Sequence, residues 1–489
     1  MPISKILVAN RSEIAIRVFR AANELGLKTV AIWAEEDKLA LHRFKADESY
    51  QVGRGPHLTR DLGPIESYLS IDEIIRVAKL SGADAIHPGY GLLSESPEFV
   101  DACNDAGLIF IGPKSDTMRQ LGNKVAARNL AISVGVPVVP ATDPLPDDEA
   151  EIHRLAAEIG YPVMLKASWG GGGRGMRAIR DPKDLIREVT EAKREAKAAF
   201  GKDEVYLEKL VERARHVESQ ILGDTHGNVV HLFERDCSIQ RRNQKVVERA
   251  PAPYLNEAQR QELADYSLKI AKATNYIGAG TVEYLMDADT GKFYFIEVNP
   301  RIQVEHTVTE VVTGIDIVKA QIHILDGHAI GTPESGVPKQ ADISLNGHAL
   351  QCRITTEDPE QNFIPDYGRI TAYRSAAGFG IRLDGGTAYS GAIITRYYDP
   401  LLVKVTASGS TPQEAISRMD RALREFRIRG VATNLTFLEA IIGHPSFRDN
   451  SYTTRFIDTT PELFQQVKRQ DRATKLLTYL ADVTVNGHP

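Results

Sequence analysis

Cysteine is almost missing from the 489 residues: only Cys103, Cys237 and Cys352 occur, each more than a hundred positions from the next. That spacing builds neither a zinc knuckle nor a disulfide framework, and it fits a reducing compartment. Long apolar runs are missing too. The longest stretch free of Asp, Glu, Lys and Arg is Asn129–Thr142, which is Pro-interrupted and short of the ~20 apolar residues a membrane-spanning helix needs. At the N-terminus only Ile6–Ala9 is apolar, so no secretory leader is visible and a cytoplasmic location is expected. Charge of one sign is not in excess either. The net charge is −6, spread without long like-charge blocks, so neither a nucleic acid nor a membrane is an expected partner. Internal repeats and low-complexity tracts are absent. What is there is the balance of a globular protein, 42% hydrophobic and 25% charged, in a chain too long for one core.

The first part of the chain alternates strand and helix patterns. Lys5-Ile-Leu-Val-Ala9 reads as a buried strand, Ser12–Leu25 as an amphipathic helix closed by Gly26, and Thr29–Trp33 as a second strand. A helix follows at Ser70–Leu80, then strand Ala83–Ile86, a Pro-started helix from Pro97, and strand Leu108–Ile111. This order argues for a parallel sheet covered on both faces, a Rossmann-like unit over residues 1–135. It carries no dinucleotide fingerprint, because Gly89-Tyr-Gly91-Leu-Leu-Ser94 lacks the third glycine. Residues 136–206 read as a compact segment able to move as a unit: helix Asp148–Ile159, strand Pro162–Ser168, a glycine loop, strand Met176–Ile179, helix Asp184–Phe200 and strand Glu204–Leu210. From 207 to 450 β patterns dominate, with interspersed helices, and 451–489 is a tail with two helical patterns.

The loudest chemical signal is Gly170-Gly-Gly-Gly173-Arg174-Gly175. It joins strand to strand, so no helix N-terminus follows to receive a pyrophosphate, and no Walker A sequence is present. Its glycines let backbone N–H groups approach phosphate oxygens, as a mobile lid would; a flexible hairpin is the other reading. Lys166 stands in the apolar strand leading into this loop, costly unless it meets an anion or snorkels from an edge. The second signal is Phe293-Tyr-Phe-Ile-Glu297-Val-Asn299-Pro-Arg301-Ile-Gln303-Val-Glu305. Glu297 and Asn299 share a strand face, and Arg301, Gln303 and Glu305 are expected to continue the alternation. A face of that composition suits a hard-cation site followed by an oxyanion site, with Glu283 in Gly280-Thr-Val-Glu283-Tyr-Leu as a second carboxylate.

Together with Glu208-Lys-Leu210, these features resemble the ATP-grasp family, and more closely the biotin carboxylases. Supporting stretches are Ile6-Leu-Val-Ala-Asn-Arg11, His87-Pro-Gly-Tyr-Gly91, Arg215-His-Val-Glu218, Glu234-Arg-Asp-Cys237 and Gln240-Arg-Arg-Asn-Gln-Lys245. The resemblance spans residues 3–450 and is most like the biotin carboxylase domains of pyruvate carboxylases. It implies an α/β chain, α+β toward its end, with the ATP-grasp fold: an N-terminal Rossmann-like parallel sheet, a Gly-rich lid and a C-terminal mixed-sheet subdomain. It implies MgATP-dependent activation of bicarbonate to carboxyphosphate and carboxylation of biotin on a carrier.

Carried over by position, Lys124 and Lys166 would hold nucleotide phosphates, with Gly171, Gly172 and Gly173 closing over them and Met176 lining the adenine pocket. Glu208, Lys209 and Leu210 would meet the adenine edge, and His216, Gln240 and Asn243 the ribose side; the family usually has His at 243, and Asn keeps a donor and an acceptor. Glu283, Glu297 and Asn299 would bind Mg2+ (or Mn2+). Lys245, Arg301, Gln303, Val304 and Glu305 would hold bicarbonate, with Glu305 as general base, and Arg353 would face biotin. No Met-Lys pair is present, so the chain itself is not expected to carry biotin, and a carrier in trans or on a missing part of the chain is the implied partner. A homo-oligomer is also implied. Arg421, Arg424, Arg427 and Arg429 suit an acetyl-CoA effector or, equally, a solvated helix face or interdomain contact. Another ATP-grasp ligase forming an acyl phosphate, a stand-alone acyl-CoA carboxylase subunit and a non-catalytic nucleotide-binding module are the rival readings.

Overall fold

A computed structural model describes residues 2–168, 176–465 and 472–487. Five parallel strands open the chain, in the spatial order Glu48–Gln51, Lys28–Trp33, Lys5–Val8, Ala85–His87 and Ile109–Phe110. The central strand is a continuous apolar run because helices cover both faces of the sheet. Helix Ser12–Glu24 buries Ile14, Ala15, Val18 and Phe19. Helix Ile71–Ser81 starts where Ser70 accepts from the Glu73 amide, and stops at Gly82, whose φ of +68° an L side chain adopts poorly. The edge strand Glu48–Gln51 and helices Ser115–Gly122 and Lys124–Ser133 escape sequence reading. The strand is half-buried and polar, without an apolar alternation, and the two helices abut at Asn123, which caps the second.

Histidine adds a pH dependence to this unit. His87 is fully buried, accepts from the Gly89 amide at Nδ1 and lies 3.2 Å from Gln321 Oε1 at Nε2. Burial pushes His87 and His42 down to about 4. The unfolded chain therefore binds more protons between pH 6.5 and 4, and stability falls as pH drops through that window by about 1.4 kcal/mol per pH unit per histidine. Urea midpoints at pH 7 and 5 should show the loss, and His87→Gln should flatten part of the slope; an unchanged slope would refute this account.

The middle segment carries helix Glu149–Ile159 and a three-stranded antiparallel sheet in the order Arg177–Ile179, Val163–Ala167, Val205–Lys209. Helix Leu185–Phe200 covers it, and Val163, Leu165, Ile179, Leu185, Val189, Val205 and Leu207 form its own core. The expected lid glycines Gly171, Gly172 and Gly173 lie outside the described residues.

The rest is organised by an eight-stranded sheet: Phe293–Asn299, Gly278–Asp287, Ala214–Gly223, Val229–Arg241, Gln244–Ala250, His348–Thr355, Leu401–Gly409 and Ile381–Gly385. Every strand pair in it is antiparallel, and Val138 adds a parallel bridge to Phe295. Separate apolar clusters fill its two ends, one around Val217, Val282, Tyr284 and Phe295 and the other around Val405, Met419, Leu438 and Phe447. The sheet's middle is left polar. The tail forms a short turn at Pro461–Phe464 and helix Arg472–Asn486. No helix among the described residues is long and apolar enough to cross a membrane.

Candidate active site

A cleft of about 1140 Å3 opens over the polar middle of the large sheet, beneath the three-stranded segment. Strand alternation and register bring its groups together. Glu283 lies opposite Glu218 on one neighbouring strand and opposite Glu297 on the other, Arg235 lies opposite Glu218, and Gln351 opposite Glu248. Like-charged residues directly across a ladder are unfavourable unless cations intervene.

Lys245 is the first such cation. Its Nζ donates to Glu283 Oε1 at 2.9 Å, to Glu305 Oε1 at 2.7 Å and to Glu218. Arg353 bridges Glu248 at 2.6 Å and Glu305 Oε2 at 3.0 Å. Arg235, fully buried, donates to Glu218 at 2.6 Å, Gln220 at 2.6 Å, Gln303 Oε1 at 2.9 Å, Thr309 at 3.0 Å and Thr281 at 3.1 Å. Burial alone would push the Glu305 carboxyl up, but Lys245, Arg353 and Arg235 outweigh it and hold Glu305 below the usual carboxylate range. Glu283 is depressed in the same way, with Lys245 and His216 overcoming its burial. Lys245 is lost to burial in part, yet its carboxylate partners keep it firmly protonated.

The expected strand alternation past Asn299 does not occur. The strand ends there because Pro300 has no N–H for the ladder, and residues 300–305 turn into helix His306–Thr313, which Glu305 precedes as N-cap residue. The side chains nevertheless converge. Gln303 Nε2 donates to Glu283 Oε1 at 2.7 Å, as does Asn299 Nδ2, and Arg301 Nη2 donates to Asn299 Oδ1 at 3.1 Å while its Nε meets Glu95.

Glu297 fits a metal site. Burial and the facing Glu283 charge push its carboxyl up, with Lys124 opposing. A hard divalent cation between Glu283 and Glu297 would relieve that repulsion with the oxygen ligands it prefers. The trio His216, Glu218 and Glu283 also comes within 4.8 Å, but Arg235 and Lys245 already satisfy Glu218, which makes it part of the ion-pair web.

Lys124, Lys166, Met176, Leu210, His216, Gln240, Asn243, Lys245, Glu283, Glu297, Asn299, Arg301, Gln303, Val304, Glu305 and Arg353 all line the cleft. Glu208 and Lys209 do not. Glu208 pairs with Lys166, and Lys209 Nζ turns away to the Gly160 and Tyr161 carbonyls at 2.8 and 3.0 Å. Gln240 Nε2 donates to His216 Nδ1 at 2.8 Å. Asn243 sits in the two-residue hairpin Arg242-Asn243, closed by Arg241 and Gln244, with φ of +50° and +63°. Asn tolerates that left-handed conformation better than His, a local reason for its presence. Sequence reasoning assigned no role to Glu218, Arg235 or Glu248, although the first two lie in stretches it singled out; burial of charge becomes visible only when the strands pair.

A parallel nucleotide-type sheet, a small antiparallel unit over a cleft and a carboxylate–cation floor define an ATP-grasp ligase. Residues 2–118 match the family model for the biotin carboxylase N-terminal domain, 123–332 that for the ATP-binding domain of the carbamoyl-phosphate synthase L chain, and 351–459 that for the biotin carboxylase C-terminal domain. The chain belongs to the biotin carboxylase family. It is 52% identical over 487 residues to the pyruvate carboxylase of Bacillus subtilis, covering 42% of that protein, so it spans well under half the length of the curated relatives. It superposes on a Rhizobium etli pyruvate carboxylase crystallised with the allosteric activator acetyl coenzyme A at TM-score 0.93 and 91% identity, covering all of this chain and 43% of that one. It also superposes on the biotin carboxylase domain dimer of Hydrogenobacter thermophilus 2-oxoglutarate carboxylase, bound to MgADP, ADP and bicarbonate, at TM-score 0.89 and 44% identity, covering 95% of this chain and 99% of that domain.

Proposed function

We propose that the chain uses MgATP to activate bicarbonate and carboxylates biotin presented by a carrier domain, as the first half-reaction of a pyruvate carboxylase. The observation that carries this reading is Glu305, a carboxylate inside the cleft gripped between Lys245 and Arg353. Lys124 and Lys166 hold the nucleotide phosphates, and Met176 and Leu210 flank the base. Mg2+ or Mn2+, held by Glu283, Glu297 and Asn299, neutralises phosphate charge when bound. Bicarbonate sits against Arg301, Gln303 and the Val304–Glu305 backbone. As an anion it competes for Lys245, which loosens that ammonium's hold on Glu305 and returns basicity to it. Glu305 then takes the bicarbonate proton while the freed oxygen attacks the γ-phosphorus and ADP leaves. Carboxyphosphate decays to CO2 and phosphate. Phosphate removes the ureido proton of biotin, Arg353 steadies the resulting oxyanion, and biotin nitrogen attacks CO2.

The deciding assay is ADP release from MgATP with and without bicarbonate and free biotin. Bicarbonate-dependent release raised by biotin is expected; release raised by ammonia or an amino acid instead would place the chain among other acyl-phosphate ligases.

Self-association and acetyl-CoA binding extend the proposal. Arg421 and Arg424 are engaged by Glu425 and Asp420 along their helix, while Arg427 and Arg429 stand on the short strand Arg427–Arg429. Arg427→Ala should weaken acetyl-CoA binding by about tenfold, as loss of one charge-assisted phosphate contact predicts; titration calorimetry giving equal affinities would remove this site.

A further inference from the structure

Lys404 is a buried cation that the reaction above does not use. It stands on strand Leu401–Gly409 with no solvent exposure, in register with Arg353 on one side and Asp384 on the other. Its Nζ donates to the Val304 carbonyl oxygen at 2.9 Å, lies 3.2 Å from Glu13 Oε2, and sits 5.8 Å from the centre of the Tyr90 ring. Val304 lies in the irregular run between the strand that ends at Asn299 and the helix that begins at His306, where few ladder hydrogen bonds hold the backbone. Its neighbours are Gln303 and Glu305, whose side chains carry two of the proposed bicarbonate contacts.

We propose that Lys404 is a positioning residue for bicarbonate: by fixing the Val304 carbonyl it sets where Gln303 and Glu305 point. The inference rests on the bicarbonate reading of the cleft. The geometry favours it over simple charge balance. A lysine needed only to neutralise Glu13 has no reason to direct a proton at a neutral backbone oxygen 100 residues away in sequence. The anchor also ties three parts of the chain to one point, since Glu13 belongs to the first helix, Lys404 to the large sheet and Val304 to the site.

Removing Lys404 alone strands Glu13 as a buried charge, so the test uses the paired change. Lys404→Met combined with Glu13→Gln leaves Asp384, the other buried carboxylate facing Lys404, paired with Arg382 and should fold, yet the Val304 anchor is gone. In that double variant kcat/KM for bicarbonate should fall about tenfold to a hundredfold while KM for ATP stays within twofold. Glu13→Gln alone, which keeps the anchor, should leave KM for bicarbonate within twofold of the parent. Hydrogen exchange of the peptide covering 300–306 should accelerate in the double variant and not in Glu13→Gln. Unchanged exchange there, or ATP and bicarbonate kinetics that decline together, overturns the proposal. Absence of bicarbonate-dependent turnover in the parent would instead refute the function, and the exchange measurement would still decide the anchor.

Discussion

Glu305→Gln should retain MgATP binding and lose bicarbonate-dependent ADP release by about 100- to 10,000-fold, the range that a positioned general base contributes. The amide preserves size and its one oxygen can still accept from Lys245 or Arg353, though its NH2 must then face the other cation. Retained MgATP binding in the variant shows that the loss reports proton removal and not collapse of the cleft. The electrostatics add a second expectation. Burial raises this carboxyl, but Lys245, Arg353 and Arg235 more than reverse that and hold it below its ordinary range. It therefore stays ionised well below neutrality, and the acidic limb of the kcat/KM profile for bicarbonate between pH 5.5 and 8 should not follow its protonation. Steady-state ADP release across that range, for parent and variant, checks both points. A variant that keeps half of the parental bicarbonate turnover would exclude Glu305 as the base.

Lys245→Gln should be the most destabilising single change in the cleft. Glu218, Glu283 and Glu305 share this one ammonium. Breaking a buried pair from one side costs about 3–5 kcal/mol, because the remaining charge is stranded. The pH dependence has a defined sign. Glu283 and Glu305 have folded-state values below their unfolded ones, so their ion pairing stabilises the fold above the unfolded carboxylate range and fades as pH falls. Without Lys245 that depression is weakened, although Arg353 and Arg235 still face Glu305 and His216 still faces Glu283. The gap between parent and variant should be widest at pH 7.5 and should narrow toward pH 5, where the stranded carboxylates take up protons. Urea midpoints at the two pH values measure it, and a gap of equal size at both would mean that the web is not electrostatically coupled.

Much of this was legible in the sequence, for physical reasons that differ along the chain. Strand Lys5–Val8 and helix Ser12–Glu24 follow from a continuous apolar run and a 3.6-residue period, signals carried by the segment itself. Glu283 and Glu297 stand out because carboxylates in apolar strands are expensive anywhere. Arg301, Gln303 and Glu305 do line one cleft, but their alternation imitates a strand where Pro300 has ended one. Strand Gln244–Ala250 has no readable apolar pattern because Lys245, Glu248 and Arg249 break it; the first two serve the cleft, and Arg249 bonds Asn450 and Tyr452. Glu218, Arg235 and Glu248 could not be weighed from sequence, since their significance lies in neighbours 15 to 105 positions away.

The late position of two central strands has a consequence for synthesis. His348–Thr355 and Leu401–Gly409 lie inside the large sheet, and the contact between Val304 and Lys404 closes over 100 residues. At ribosomal rates of about 5–20 residues per second, that gap lasts about 5–20 s. For roughly the first half of that interval the nascent sheet ends at Gln244–Ala250 with an unpaired edge and Glu305 and Glu248 lack Arg353; for the second half the unpaired edge is His348–Thr355. The emerging chain is then exposed to edge-to-edge pairing at this one seam, which makes it the place where a chaperone would have most to shield.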